Sequence, residues 1–429
     1  MSTGVLRRPA AWSGDSLRRA GSLAGGRLSR VVVSRIAVGA AGLLTVLLTS
    51  RFLSTSARGE FATVQAGVLI VAVVGCASLW LGISVMLPKH PGARLMALLV
   101  AVTWPAILLA GLALVLATGV ARGVASAPVL VAFVLVSAAV MVYTNVQGLA
   151  IGLNHIGTYA RAEIARAIIG VGALCVLLAA GERQPSELIL IWGLASWGAA
   201  SAYLVLSSRP YGRLGQTRIR QGAEFLRGAV SRGLRAHPNN VIALAVMRLD
   251  IVVLAALSSH EQVAFYSLAV ALSEGVWLVP GAVAVVGLAD YSQLDPHAAL
   301  ARARRNLART LAAAAVTAAA LFLAGTLLIT AFLRPAYQAA IGPLAITNAG
   351  ALFYSATHAV NPWIVVTLDR PGLSSLIAAA TLAVNMVLLV ALASHGALGA
   401  AIASALAYAF AGGVYVAVLS KHESSVARA

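Results

Sequence analysis

Runs of about 20 apolar residues, closed off by polar or Gly/Pro breaks, recur along the whole chain. At 1.5 Å per helical residue, such a run crosses a hydrocarbon core of about 30 Å. Helices are expected near 30–50, 60–87, 94–118, 128–152, 160–180, 187–207, 237–257, 263–289, 305–331, 341–366, 373–393 and 398–420. The longest break, 208–236, divides six from six. The pattern predicts an all-α integral membrane protein of about twelve transmembrane helices, with a basic disordered tail over 1–29 and an N-terminal six-helix lobe over 30–207. A basic cytoplasmic linker over 208–236, a C-terminal six-helix lobe over 237–420 and a short cytoplasmic tail over 421–429 complete it.

Composition agrees: 60% hydrophobic and 10% charged residues exclude an ordinary soluble domain. The formal charge of +18 raises the question of nucleic acid, and position answers it. With the N-terminus inside, inner segments carry 25 of the 31 Lys+Arg. The outer loops hold Arg51, Arg58, Arg122, Arg183 and Arg334, and Arg248 is intramembrane. This positive-inside asymmetry puts both termini in the cytoplasm and leaves no basic excess for nucleic acid. No cleavable signal is expected, because the first apolar run leads to Ser50, Arg51 and Arg58 without a small-x-small site. The outer loops are all short, which excludes an extracytoplasmic catalytic domain.

Within 208–236, Ile219, Ala223, Leu226, Val230 and Leu234 recur at helical spacing while Arg218, Arg220, Arg227, Arg232 and Arg235 occupy other faces. Two readings fit: a basic helix lying on anionic membrane lipids, or a plain positive-inside linker.

Enzyme signatures are missing. The two lysines, Lys89 and Lys421, follow Pro88 and Ser420 rather than a P-loop glycine. His260-Glu261 and His422-Glu423 lack the second His of a zinc-protease helix, and neither CxxC nor GxSxG occurs. Cys76 and Cys175 lie singly in apolar runs and read as small core residues. No catalytic residue, cofactor or metal ligand is predicted.

Three ionisable residues stand where charge needs a reason. Arg248 and Asp250 fall in the middle of 237–257, and Glu274 falls equally deep in the next run. A central Arg or Asp opposes insertion by about 2.5 to 3.5 kcal/mol, so such groups face protein or a watery cavity. Counted from Leu257 and Val263, Arg248 lies about 14 Å and Glu274 about 17 Å below the outer end, so the two can meet. Arg248 and Asp250, two residues apart, point to nearly opposite sides, and Asp250 must find another partner or be protonated. The cluster is either an ion pair that locks helices or a contact on a transport path, the second being the default for intramembrane charge. Arg35 joins it only if both lobes converge on one cavity; otherwise Arg35 and Glu60 snorkel from helix ends. Tyr143, Asn145, Gln147, Asn361 and Asn385 line a wet path or bond between helices. Trp104-Pro105, Pro280, Pro343 and Asn361-Pro362-Trp363 are expected to interrupt helices.

The two halves echo one another. Leu53-Ser54 with Phe61 matches Leu257-Ser258 with Phe265, each pair at the outer turn between the first and second helix of its half, as in parallel repeats about an axis normal to the membrane. At these turns the sequence resembles the polysaccharide-exporting flippases of the multidrug/oligosaccharidyl-lipid/polysaccharide (MOP) superfamily. That family joins helices one and two by an Arg-Leu-Leu-Gly-Pro turn leading to a Tyr-Gly pair. Here LLTSRFLSTSARGEFA (47–62) supplies Arg51, Leu53 and Gly59, with Ser54-Thr55 in place of Gly-Pro and Arg58 in place of Tyr. In RLDIVVLAALSSHEQVAFYSLAVALSE (248–274), Asp250, Phe265, Tyr266, Ser267 and Ala269 follow the family's order through helices seven and eight.

The resemblance implies a non-enzymatic, two-lobed transporter in the plasma membrane of a bacterium. Its implied substrate is a lipid-linked, polyprenyl-pyrophosphate oligosaccharide, flipped from the inner to the outer leaflet for cell-surface polysaccharide synthesis. Glycan polymerase or glycosyltransferase partners would act beside it. Arg248 is the first choice for the pyrophosphate, because a guanidinium offers forked, charge-assisted donors; Arg35 and Arg51 come next. Asp250 and Glu274 would tune that charge or exchange a coupling proton or sodium ion. A drug or metabolite exporter of the same superfamily, with a smaller and more acidic or aromatic cavity, and a non-transporting scaffold of an envelope-glycan complex are the rival readings.

Overall fold

The computed structural model describes residues 14–106, 126–208, 219–291 and 294–426, and within them every regular element is helical. In the first half, α1 covers Gly14–Phe52, α2 Thr55–Gly75, α3 Leu79–Met86 and α4 94–106. Then come α5 (Ala127–Gly152), α6 (Ile156–Ala179), α7 (Pro185–Gly193) and α8 (Ala199–Ser208), the last two joined through a π-helical turn at Leu194–Gly198. The second half runs α9 (Ile219–Leu257), α10 (His260–Ser273), a 3-10 turn (Glu274–Trp277), α11 (Leu278–Tyr291) and α12 (Pro296–Phe332). It ends with α13 (Ile341–Val366), α14 (Pro371–Leu392) and α15 (Gly396–Val426). Nine segments among the described residues are long and apolar enough to cross a membrane, one of them, Pro371–His422, holding both α14 and α15. Their outward faces are apolar, as Val316, Leu323 and Leu327 on α12 and Val387 and Val390 on α14 show by their exposure. Such faces suit lipid, not water.

Helix packing relies on small residues that let backbones touch. A Cβ on Gly59 would overlap the His260 carbonyl, and one on Gly82 would overlap that of Ala229, so α2 is pressed against the start of α10 and α3 against α9. Gly148 meets the Trp80 backbone and Gly412 the Phe353 carbonyl in the same way. This is how helices associate when lipid removes the hydrophobic drive between them. The largest core surrounds α10, where Leu254, Val263, Leu268 and Leu344 are fully buried.

Several elements differ from the sequence expectation. The helix expected over 60–87 breaks at Cys76–Ser78, where Ala77 (φ 47°) and Ser78 (φ 50°) both adopt the left-handed conformation. Nothing in their side chains announces it, since glycine is the usual residue there. Tertiary contacts hold the break: the Trp104 indole donates to the freed Gly75 carbonyl at 2.8 Å, and Asn240 Nδ2 donates to Ser78 Oγ at 2.8 Å. His237 lies 3.3 Å from the same hydroxyl.

The tail expected to be disordered over 1–29 is helical from Gly14, because Arg, Leu and Ala favour helix and extending an existing helix needs no new nucleus; residues 1–13 lie outside the described residues. Likewise α9 reaches back to Ile219 and passes through Pro238. The stretch from Gln221 is therefore part of a continuous helix, and its buried face is Gly222, Phe225, Ala229 and Gly233, with Ala229 packed on Gly82 of α3 and Gly233 against the Ala77–Ser78 break. Leu234 is instead half exposed. Arg218 and the rest of the linker, 209–218, fall outside the described residues, as does 107–125 of the third expected helix. Pro280 and Pro343 each stand third in an α-helix that directly follows a 3-10 turn, Glu274–Trp277 and Pro335–Ala340, so the helical run is interrupted just before each, as expected. Pro362 does lie inside α13.

Candidate functional site

Arg248 and Glu274 meet. On α9, Arg248 is carried to the depth at which α10 gives way to the 3-10 turn, and Glu274, the first residue of that turn, receives Nη1 of the guanidinium in a hydrogen-bonded ion pair. The same Nη1 donates to the Met247 carbonyl at 3.1 Å. The pair is not sealed: the two side chains are 25% and 30% exposed, and Glu274 borders an adjoining cleft. That cleft is narrow and is lined by Tyr266, Glu274, Trp277, Thr347, Ser404 and Tyr408 among others, drawn from α10, the 3-10 turn, α13 and α15.

Asp250 points away from Arg248 into the bundle, as two helical positions require, and is sealed at 1% exposure. Its partners come from other helices. The Tyr266 hydroxyl donates to Oδ2, Ser404 Oγ donates to the same oxygen at 3.2 Å, and the Ile251 N–H donates to Oδ1 at 2.8 Å. Tyr266 and Ser404 touch each other at 2.7 Å, and Ser404 also reaches Asn385 Oδ1 at 3.5 Å. An ionised carboxylate buried this deeply is tolerable only with such donors.

Beside the cleft stands a group of rings that sequence reasoning missed. Trp277 lies 5.4 Å from Tyr354 and 5.7 Å from Tyr408, centroid to centroid, and Tyr354 lies 4.8 Å from Tyr408. His358 edges against Trp277 and Tyr354. These residues are scattered over three elements, and no local spacing announces them. The one signal available was the recurrence of aromatics at i, i+4 in Tyr354 and His358 on α13.

The other expected site residues lie elsewhere. Arg35, on the exposed face of α1, donates to the Tyr159 hydroxyl of α6 at 3.4 Å. Arg51 sits in the last turn of α1, its guanidinium carbon 5.8 Å from the Phe332 ring centroid. The three arginines are thus not brought together. Among the polar residues, Asn361 bonds between helices, accepting from Ser374 at 2.5 Å and Tyr415 at 3.1 Å. Tyr143 donates to Glu163 at 2.7 Å inside the first half, in a cluster with Arg166 and Trp197.

No family model matches the chain, and no curated protein matches it. Solved structures do. An inward-facing multidrug resistance MATE family transporter of the MOP superfamily superposes with a TM-score of 0.62 at 12% identity, over 92% of this chain and 99% of that one. The chain shares that fold. The lipid II flippase MurJ, in an inward closed conformation, gives 0.63 at 12% identity over 91% and 87% of the two chains. The MATE multidrug transporter DinF-BH gives 0.59 at 13% over 97% and 98%. The chain is therefore a multi-pass helical membrane protein with a MATE- and MurJ-like architecture.

Proposed function

We propose that the protein is a plasma-membrane flippase that moves a lipid-linked, polyprenyl-pyrophosphate oligosaccharide outward, and that Arg248 grips its pyrophosphate. The observation that carries this reading is the open Arg248–Glu274 pair. Nη1 alone serves both Met247 and Glu274, so the other N–H groups remain for a second ligand, and a pyrophosphate oxygen offers Arg248 the same charge-assisted contact that Glu274 does. Substrate arrival would exchange one partner for the other. Twelve crossings in two six-helix lobes, with both termini inside, fit the 25-to-5 distribution of basic residues. Asp250, Tyr266, Ser404 and Asn385 gather oxygens that suit a coupling proton or sodium ion. Exposed Arg227, Arg232 and Arg235 on the inner part of α9 suit anionic lipid headgroups.

Accumulation of lipid-linked glycan in the inner leaflet tests the reading, at matched protein levels. Arg248→Lys is expected to block export, because a point charge cannot reproduce the fork. The Arg248→Met/Glu274→Leu double variant is expected to fold and still fail. Full export by the double variant would reduce these charges to a helix lock.

The Trp277–Tyr354–Tyr408 rings favour a second reading. A small aromatic cleft with a carboxylate at its edge suits an amphipathic cation, the substrate of a drug exporter of the same fold. Efflux of a cationic dye that depends on Trp277 and Glu274, in cells whose glycan export is untouched by Arg248→Lys, would select it.

A further inference from the structure

Arg58 is the largest anomaly outside the central cleft. It lies one turn into α2, is 1% exposed, and its Nε and Nη1 have no hydrogen-bond partner among the described residues. Its nearest ring, Phe61, is 6.0 Å from the guanidinium carbon and supplies little. Two further donors adjoin it. The hydroxyls of Ser50, at the end of α1, and Tyr337, in the 3-10 turn Pro335–Ala340, approach one another, Tyr337 adjoins the guanidinium, and both are fully buried with no well-formed hydrogen bond to any other group. The first turn of α2 holds no acidic residue, so the helix dipole adds to the positive charge there. A buried guanidinium without a counter-charge is among the costliest arrangements a protein can hold.

The surroundings gather more positive charge. Arg334 Nη2 donates to the Phe52 carbonyl at 3.5 Å, Arg183 stacks over the Phe52 ring at 5.6 Å, and Arg51 lies over Phe332. Four of the five outer-loop arginines thus converge on the last turn of α1, and none forms an ion pair among the described residues. We propose that this outer corner binds a small inorganic anion of halide size, held by Arg58 and the hydroxyls of Ser50 and Tyr337. Arg51, Arg183 and Arg334 form the electropositive approach to it. The size limit follows from burial: Arg58, Ser50 and Tyr337 admit no lipid headgroup or phosphate ester. The site is separate from Arg248 and does not depend on what the protein transports.

The test uses the purified full chain in detergent, with thermal unfolding followed as chloride, bromide or nitrate replaces gluconate at constant ionic strength. A parallel series uses inorganic phosphate. An anion that binds only the folded chain raises its midpoint in a saturable way. Halides and nitrate are expected to do so in the wild type, and gluconate and phosphate are not. Arg58→Gln is expected to abolish the response. Tyr337→Phe, which removes one hydroxyl, is expected to move half-saturation about tenfold upward. The proposal is overturned by equal responses to chloride and gluconate in the wild type, which would mean that water satisfies Arg58. An unchanged response in Arg58→Gln, or phosphate acting as strongly as chloride, would also overturn it. Should Arg58→Gln fail to fold, the wild-type anion series and Tyr337→Phe still decide.

Discussion

Each half of the molecule contains an Arg–Glu pair beside aromatic rings, and the two are built for different ends. In the first half Glu163 and Arg166 are neighbours on the same turn of α6, 2.9 Å apart. Glu163 Oε1 receives the Tyr143 hydroxyl, Oε2 receives Arg166, and the guanidinium lies 4.0 Å from the Trp197 ring centroid. Both carboxylate oxygens of that pair are used, and its exposures are 13% and 9%. In the second half Arg248 and Glu274 come from different elements, meet through a single nitrogen and are more exposed, with Glu274 bordering a cleft. A pair within one helix stays together whatever the helices do. A pair between helices is sensitive to their relative position and is available for exchange, so accessibility and connectivity, more than the presence of charge, separate scaffold from site.

Substitutions should widen this contrast. The largest loss of stability is expected for Glu163→Gln, which strands a largely buried guanidinium: about 3 kcal/mol in denaturant unfolding. A loss below 1 kcal/mol would erase the distinction between the halves. Next comes Tyr266→Phe, which takes one donor from the sealed Asp250 carboxylate, with an expected cost of about 2 kcal/mol in the same measurement. Glu274→Gln should cost less than about 1 kcal/mol, since its pair is partly exposed, while, if the proposed function holds, it changes glycan export far more than Glu163→Gln does per unit of folded protein. Effects of similarly small size belong to the turns before α2 and α10. Ser54 caps α2 by accepting the Ala57 N–H at 3.2 Å, whereas Ser259 accepts the Gln262 N–H of α10 at 3.5 Å. Ser54→Ala is expected to cost about 1 kcal/mol and Ser259→Ala less, by thermal unfolding.

What was legible in the sequence follows from these same contacts. The meeting of Arg248 and Glu274 could be read from helical rise alone, because the two residues flank one short turn. Asp250's orientation was equally legible, yet its partner Ser404 lies 154 positions away and belongs to a helix whose rotation no local pattern fixes. The repeat between the outer turns is visible in Leu53, Phe61 and Phe265, but the serine that caps α10 is Ser259, one place beyond the match at Ser258. Arg58 counted as an outer-loop charge by position, and only packing against Tyr337 shows it to be interior. The small-residue face of α9 escaped notice because apolarity was sought where backbone proximity mattered.

The break at Ala77–Ser78 carries a mechanical consequence. Above it, α2 closes on the start of α10 at Gly59; below it, α3 closes on α9 at Gly82. An unbroken rod would transmit torque from one end to the other, so that prying the outer contact apart would strain the inner one. Two rods joined by a pair of left-handed residues transmit little. The contact at Gly59 and the contact at Gly82 can therefore loosen one at a time, and helices that part at one end of the bundle need not part at the other.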